Sequence, residues 1–510
     1  MNRFYVTTPI YYINAEPHIG HFYTTLIGDV LARFHRRRGD DTYFITGTDE
    51  HGDKIANAAA AAGREPRAHA DHISRIFQDT WTACGFGLDA FIRTTNPAHE
   101  RLVQDFLARL HAAGDIYFGS YSGLYCTECE RLYTEKELVD GKCPDHLIPP
   151  TRIAEDNYFF RMSRYQQRLI AELEARPELI VPTQYRNEVL AMLRGEALGD
   201  LCISRPKTRL TWGIELPFDR AFVTYVWFDA LLSYVSVLKL QGDDVFERFW
   251  PAAHHLIGKD ILKPHGIFWP TMLMALGLPL YRQLRVHGYW IRGASKMSKS
   301  LGNVIRPLDM KARYGMDAFR YFLLREMAFG QDASFTEDAF VTRVNADLAN
   351  NLGNLISRTL SMQHRYFEGA VQPIGEFTAD DRALAAAFDT AAQEVPVWTE
   401  RFAFHRALES LWRAIDHANK YVVTTAPFSL AKDPAQRPRV GAILHHLLEA
   451  LRATAAVLAP FLPETATAIW TALRLPGDVA GGGSWGTNFG PGHLVGKPVI
   501  LFPRIETESK

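Results

Sequence analysis

The sequence predicts an α/β chain: a doubly wound parallel sheet with a cysteine-bearing insertion, followed by an all-α helical bundle. Three observations predict it. The first fifty residues read strand, helix, strand. Strand-like segments return near His255 and Gln283, and the chain after about Asn345 has helical apolar spacing. A length of 510 residues allows about three or four domains. Apolar residues at 47% and charged residues at 22% are a globular mixture and argue against disorder.

Phe4 to Thr8 is rich in β-formers, and Pro9 with Pro17 brackets a loop. A helix starts near His18. Ile19, Phe22, Leu26, Ile27, Val30 and Phe34 follow at three- and four-residue steps. Arg36-Arg37-Arg38-Gly39 ends it, with cations at the negative end of the helix dipole and glycine as the stop. Thr42 to Thr46 is the second strand, completing the βαβ opening of a Rossmann-like sheet. Residues 1–115 form the first half of this domain. Residues 116–225, with short strands and many Tyr, Gly, Cys and Pro, form the insertion. Val223 to Ala230 resumes the α/β pattern, and 226–288 forms the second half, with strands at His255–Gly258 and Gln283–Tyr289. A lysine-bearing loop region occupies 289–340, and the helical domain 341–510. Leu348, Leu352, Leu355 and Leu360 open that domain, Ile443 to Leu458 is a long helix within it, and Pro498 to Pro503 reads as a returning strand.

The net charge of −1 excludes a bulk basic coat for nucleic acid and leaves room for a partner met through local patches. Residues 341–510 hold 16 basic and 16 acidic side chains, so the bundle has no electrostatic signature of its own. No apolar run reaches the ~18 residues of a membrane span. The start, Met1-Asn2-Arg3-Phe4, has no secretory pattern, and five cysteines are too few for a disulfide scaffold. These features point to a reduced, cytoplasmic compartment with no membrane partner.

Four patterns carry chemistry. His18-Ile19-Gly20-His21 sits at a helix start after a strand, where unpaired N–H groups offer a phosphate seat. Gly20 allows a base or ribose close to the backbone. The plainer alternative is a pair of histidines that cap the helix. Lys296-Met297-Ser298-Lys299-Ser300 lies about 275 residues later, in surroundings (Arg292 to Ser295) that read as a mobile loop. Its two lysines suit a polyphosphate, or are simply a solvated basic loop. Cys126-x2-Cys129 and Cys143-x2-His146 have the paired spacing of a closed, structural zinc site. Aromatic residues at several strand ends make the fourth pattern, which by periodicity alone suits a core as well as a pocket.

The first two patterns together resemble the signature pair of class I aminoacyl-tRNA synthetases. The whole chain, from Phe4-Tyr5-Val6-Thr7-Thr8-Pro9 to the C-terminal helices, resembles the methionyl-tRNA synthetase family. That resemblance implies ATP-dependent activation of L-methionine to an adenylate and its transfer to the 3′-terminal adenosine of methionine tRNA, initiator and elongator. It implies catalytic roles for His18, His21, Lys296 and Lys299, with ATP held by Gly20, Gly258, Asp260 and the two lysines, together with Mg2+. It implies a methionine slot of Ile10, Tyr12, Trp227, Ala230, Tyr234, Ile261, His265 and Trp269. Rings there would hold a polarizable thioether, with a tyrosine hydroxyl or histidine N–H reaching its sulfur. Asp49 would pair with the substrate ammonium and Arg205 face its carboxylate. The Zn2+ knuckle of Cys126, Cys129, Cys143 and His146 would sit in the insertion, and residues 289–340 would also contact the tRNA stem. Asn354 and Arg358, four apart on one helix face, would read anticodon bases with Phe428, where the family usually has tryptophan. Without a further C-terminal module, the expected state is a monomer.

Two rival readings fit the sequence less well. A class I enzyme for leucine, isoleucine or valine needs a ~200-residue editing module, and the insertion is too short; a cysteine enzyme would place its zinc ligands in the pocket. A non-catalytic tRNA-binding relative should have lost signature residues, and both motifs are intact.

Overall fold

The computed structural model describes residues 2–126, 131–133, 135–144, 147–195, 197–292, 295–296, 304–479, 483–490 and 492–506. The chain divides into two compact units. The first holds residues 1–288 and 306–308, and the second 289–305 and 309–510.

The first unit is built on a six-stranded parallel sheet. Its strands are β1 (Arg3–Tyr12), β2 (Asp41–Asp49), β3 (Ala90–Arg93), β4 (Ile180–Val181), β5 (Ala253–Gly258) and β6 (Gln283–His287). Their order is β3-β2-β1-β5-β6-β4, so the winding reverses between β1 and β5. Ligands of open α/β sheets bind at such a reversal, outside the carboxyl ends of the strands. Strand β1 runs through Pro9 to Tyr12, further than its sequence suggests. The proline is accommodated by a shift of register between Thr7 and Ile10 in the pairing with β2. Proline has no N–H for a ladder, which explains the irregularity.

Helix α1 (Ile19–Arg37) ends as its sequence anticipates, with basic residues in the last turn and Gly39 at φ 79° just beyond Arg38. Helices α2 (Pro97–Ala112) and α3 (Val226–Lys239) pack on the sheet. Phe106, Leu107 and Leu110 from α2 and Phe228, Leu231 and Leu232 from α3 are all buried in this core. The segment read as an insertion is not wholly separate from this sheet. It holds an antiparallel four-stranded sheet that includes Ile116–Cys126 and Thr151–Phe160, but it also supplies β4, which pairs with β6.

In the second unit the segment leading into the lysine motif holds the two paired strands of a hairpin. Trp290–Arg292 pairs antiparallel with Ser295–Lys296, in register Ile291 with Lys296 and Arg292 with Ser295. Trp290–Arg292 also pairs in parallel with Ala333–Ser334. Met297 to Asn303 lies outside the described residues. The bundle includes α4 (Asn354–Phe367) and α5 (Arg437–Leu458), with helices at Ala379–Glu400 and Phe404–Thr425. An 18-residue window within Pro434–Leu458 reaches a mean hydropathy of 1.2, enough by composition to cross a membrane. It is 83% buried inside the protein, as a core helix is. Pro498 to Pro503 forms no strand. Prolines cannot donate to a ladder, and the tail is pinned instead by Asn345, whose amide exchanges two hydrogen bonds with the Ile505 backbone at 2.8 and 2.9 Å.

Candidate active site

Strands β1 and β5 pair only from Tyr5–Ala253 to Thr7–His255. Beyond that, β1 continues on β2 (Ile10 with Gly47, Tyr12 with Asp49), while β5 continues on β6 as far as Gly258 with His287. The two central strands thus part at their carboxyl ends. One lip of the opening leads to His18 and the other carries Gly258 and Asp260.

His18 is the N-cap of α1. Its Nδ1 accepts from the Gly20 N–H at 3.0 Å, and Nδ1 of His21 accepts from the His18 N–H at 3.3 Å. The rings stack at 3.8 Å. The capping alternative is therefore correct as local structure. An accepting Nδ1 places the proton of a neutral imidazole on Nε2, which can donate outward. At the other lip, Gly258 is buried and Asp260 exposed. A Cβ on Gly258 would lie 2.6 Å from Asp260 Oδ1, so the glycine leaves room for that carboxylate. Beside them, Nε2 of His287 is 2.7 Å from Thr24 Oγ1 on α1.

The rings expected around a thioether do assemble. Tyr12 meets Trp227 edge-on at 6.2 Å, Trp227 meets His265 at 6.2 Å, and His265 lies 5.7 Å from Tyr234, which lies 6.1 Å from Trp269. Tyr12, Trp227 and Ile261 are partly exposed; Ile10, Ala230, Tyr234, His265 and Trp269 are buried. One detail differs from expectation. His265 Nδ1 donates to the Ile261 carbonyl at 3.0 Å, so Nε2 of the neutral ring accepts from the Tyr234 hydroxyl at 2.8 Å. Burial pushes the His265 pKa down to about 4, which keeps the ring neutral. The hydrogens of Tyr234 and His265 are thus committed to protein partners, and this pair offers a sulfur atom packing, not a hydrogen bond.

Asp49 closes β2 beside Tyr12 and is 2% exposed. Arg205 is held by the insertion: Nη1 donates to the Ser204 carbonyl at 2.7 Å, and the guanidinium lies over the rings of Tyr125 and Tyr225 at 5.1 and 4.9 Å. Cys126 and Cys143 are fully buried in one small cluster with Tyr133, whose hydroxyl is 3.4 Å from Cys143 Sγ. Cys129 and His146 lie outside the described residues, and no group of three metal-ligating side chains occurs among those described. The lysine pair is in the second unit: Lys296 is in the hairpin and Lys299 is outside the described residues. Asn354 and Arg358 are exposed on α4, with Asn354 Nδ2 donating to the Asn350 carbonyl at 2.8 Å; Phe428 is 47% exposed.

Sequence reasoning missed a set of polar residues behind the slot. Arg93 forks onto the buried Glu50 at 2.7 and 2.9 Å, and Thr48 donates to Glu50 at 2.6 Å. Asp229, between Trp227 and Ala230, meets His51 Nδ1 at 2.6 Å and His99 Nε2 at 2.7 Å. The signal was adjacency: His51 follows Asp49 by two residues, and Asp229 lies inside the Trp227–Ala230 segment.

Comparisons with known proteins show the family. The family described as "tRNA synthetases class I (M)" matches residues 4–152 and 148–360, and "Anticodon binding domain of methionyl tRNA ligase" matches 371–510. The methionine–tRNA ligase of Caldanaerobacter subterraneus subsp. tengcongensis is 43% identical over 513 residues, covering 99% of this chain and 80% of its own. That of Deinococcus radiodurans is 44% identical, covering 99% of this chain and 75% of its own. The Mycobacterium tuberculosis methionyl-tRNA synthetase in complex with methionyl-adenylate superposes with a TM-score of 0.93 at 40% identity, covering 99% of this chain and 100% of that one. A parted pair of central strands, a capped histidine turn and a ring-lined slot therefore belong to a chain of the methionine–tRNA ligase family, class I synthetases that activate methionine and charge tRNA with it.

Proposed function

We propose that the opening between β1 and β5 is where methionine and ATP react, and that the residues gathered there act as follows. Nε2–H of His18 and of His21 donates to phosphate oxygens at the start of α1, where the helix dipole also favours negative charge. Gly20 and Gly258 let the nucleotide lie against backbone, and Asp260 accepts from its ribose. Asp49 takes the methionine ammonium and Arg205 faces its carboxylate. Tyr12, Trp227, Tyr234, Ile261, His265 and Trp269, with Ile10 and Ala230, enclose the thioether side chain. The observation that carries the reading is the parting of the two central strands beside this unbroken run of ring contacts.

The methionine carboxylate, already ionised at neutral pH, attacks the α-phosphorus. A C–O–P bond forms and the bond to the pyrophosphate oxygen breaks. No side-chain base is required, so rate enhancement comes from alignment and charge stabilisation. Lys296 and Lys299 neutralise the departing pyrophosphate. The rest of that charge would be screened by Mg2+ brought in as part of the ATP substrate. In the second step the 2′-OH of the terminal tRNA adenosine attacks the mixed anhydride carbonyl and AMP leaves. Asn354, Arg358 and Phe428 bind anticodon bases of both initiator and elongator methionine tRNA. A Zn2+ ion held by Cys126, Cys129, Cys143 and His146 would stiffen the insertion and take no part in the reaction; burial of Cys126 and Cys143 in one cluster supports such a site. The chain acts as a cytoplasmic monomer.

Exchange of labelled pyrophosphate into ATP, run with each amino acid separately, tests the reading. Methionine alone should drive it. Exchange driven equally by leucine or isoleucine would overturn the pocket assignment.

A further inference from the structure

Behind the slot, three fully enclosed polar groups from three elements meet. His51 follows β2, His99 is on α2 and Asp229 is in the first turn of α3, exposed by 3%, 0% and 0% respectively. Asp229 uses one oxygen for each ring, at 2.6 Å to His51 Nδ1 and 2.7 Å to His99 Nε2, and His99 Nδ1 reaches Ser236 Oγ at 2.7 Å. A carboxylate is acceptor-only, so both imidazole nitrogens facing it carry protons. Three such groups are costly to bury unless each is paired, and here each is.

The location of the cluster gives it a task. His51 is two residues from Asp49, and Asp229 is flanked by Trp227 and Ala230. We propose that the His51–Asp229–His99 cluster is a positioning device for amino-acid recognition, tying the chain just after Asp49, at the end of β2, to the helix start that presents Trp227. The proposal rests on the reading of the slot given above. The tie fixes the carboxylate for the ammonium and the ring for the side chain relative to each other. A displacement of about 1 Å between such groups costs up to roughly a hundredfold in productive binding.

The groups facing His51 make it sensitive to pH. Asp229 comes from α3, Glu100 from α2 with its carboxylate 3.9 Å from Nε2, Glu50 from its own loop, and the Trp212 ring lies 5.3 Å away. His99 shares Asp229. Burial opposes a charged His51, but the carboxylates together outweigh it and raise its pKa above the ordinary value. The proton, and with it the charged tie, is lost as the pH rises.

The test is methionine-dependent pyrophosphate exchange by the full chain for wild type, His51→Ala, His51→Asn, His99→Ala and His99→Gln. An asparagine amide puts an N–H where Nδ1 of His51 was, and a glutamine amide puts one where Nε2 of His99 was. The alanine variants should raise KM for methionine about tenfold or more while KM for ATP stays within about twofold. The amide variants should recover most of that loss. As the pH rises above the ordinary histidine range His51 loses its charge but keeps Nδ1–H on Asp229, so wild-type KM for methionine should climb toward that of His51→Asn, which does not titrate and should give a flatter profile. Equal rises in both KM values, or amide variants no better than alanine, would reduce the cluster to a structural one and overturn the proposal. If the alanine variants fail to fold, the pH profile decides alone: a His51→Asn slope equal to wild type overturns it. A wild type inert with methionine would instead overturn the reading of the slot.

Discussion

At the scale of single residues, Gly258 leaves open a space that a side chain would fill. Its Cβ would stand 2.6 Å from the Asp260 carboxylate, the end of a side chain that can swing away. Gly258→Ala should therefore fold normally and raise KM for ATP several-fold with little change for methionine; an unaltered KM for ATP would remove Asp260 from the ribose site. Lys299 lies in the lysine motif, and Lys299→Ala should lower kcat for adenylate formation by about 2–4 kcal/mol if it stabilises developing charge as preorganised donors do. Methionine affinity should hardly move, and an undiminished kcat would refute the role. Asp317 illustrates a cost instead. It is 4% exposed, and burial raises its pKa to about 6 despite the nearby Arg320. A native carboxyl that holds its proton more tightly than the unfolded chain loses stability as pH rises from about 4 to about 6. The upward shift of about two units corresponds to about 3 kcal/mol. Asparagine keeps an acceptor for the Thr465 N–H, now 2.6 Å from Asp317 Oδ2. Asp317→Asn should thus gain Tm over wild type at pH 7.5 and lose that advantage near pH 4. A Tm difference independent of pH would contradict this account.

At the scale of elements, what counts is how ends are fixed. Helix α1 begins where two histidines exchange hydrogen bonds with its free N–H groups, and it ends where Gly39 turns the chain. The helix Ala379–Glu400 starts with Thr378 and Asp381 capping each other, and Arg439 on α5 grips Asp381 at 2.7 and 2.9 Å. Arg439 and the Tyr421 hydroxyl outweigh burial and hold that carboxyl well below its usual range, so the grip is present at neutral pH and lost only in strong acid. The insertion is an element-scale prediction. Cys126→Ser should release about one zinc per chain and lower the temperature at which residues 116–160 become protease-sensitive. Wild-type protein that contains no zinc after purification without chelators would end the claim.

At the scale of the whole molecule, the proposed methionine slot and the proposed anticodon residues fall in different units. Tyr12, Asp49, Trp227 and His265 are in the first, and the exposed Asn354, Arg358 and Phe428 are in the second, with the lysine motif. Arg358→Ala should weaken tRNA charging roughly five- to 150-fold while methionine-dependent exchange stays intact, since an arginine contact to a base edge is worth about 1–3 kcal/mol. Equal losses in the two assays would deny that division.

The sequence alone determined the local and periodic features. Apolar spacing placed α1 and the long helix α5. The His18–His21 turn and the Lys296–Lys299 motif pointed to the chemistry through their resemblance to a family's signature pair; taken alone, each suited a helix cap or a solvated basic loop as well. Tertiary structure decided what depends on strands far apart in the chain. It extended β1 through Pro9, drew β4 out of the supposed insertion into the main sheet, paired Arg292 with Ser295, and left the proline-rich tail without a strand. It also assigned the protons of Tyr234 and His265 and buried the His51–Asp229–His99 cluster. Proton positions and burial are set by whichever groups the fold brings within about 3 Å, and neighbours of that kind, separated by scores of residues, leave no periodic trace in a sequence.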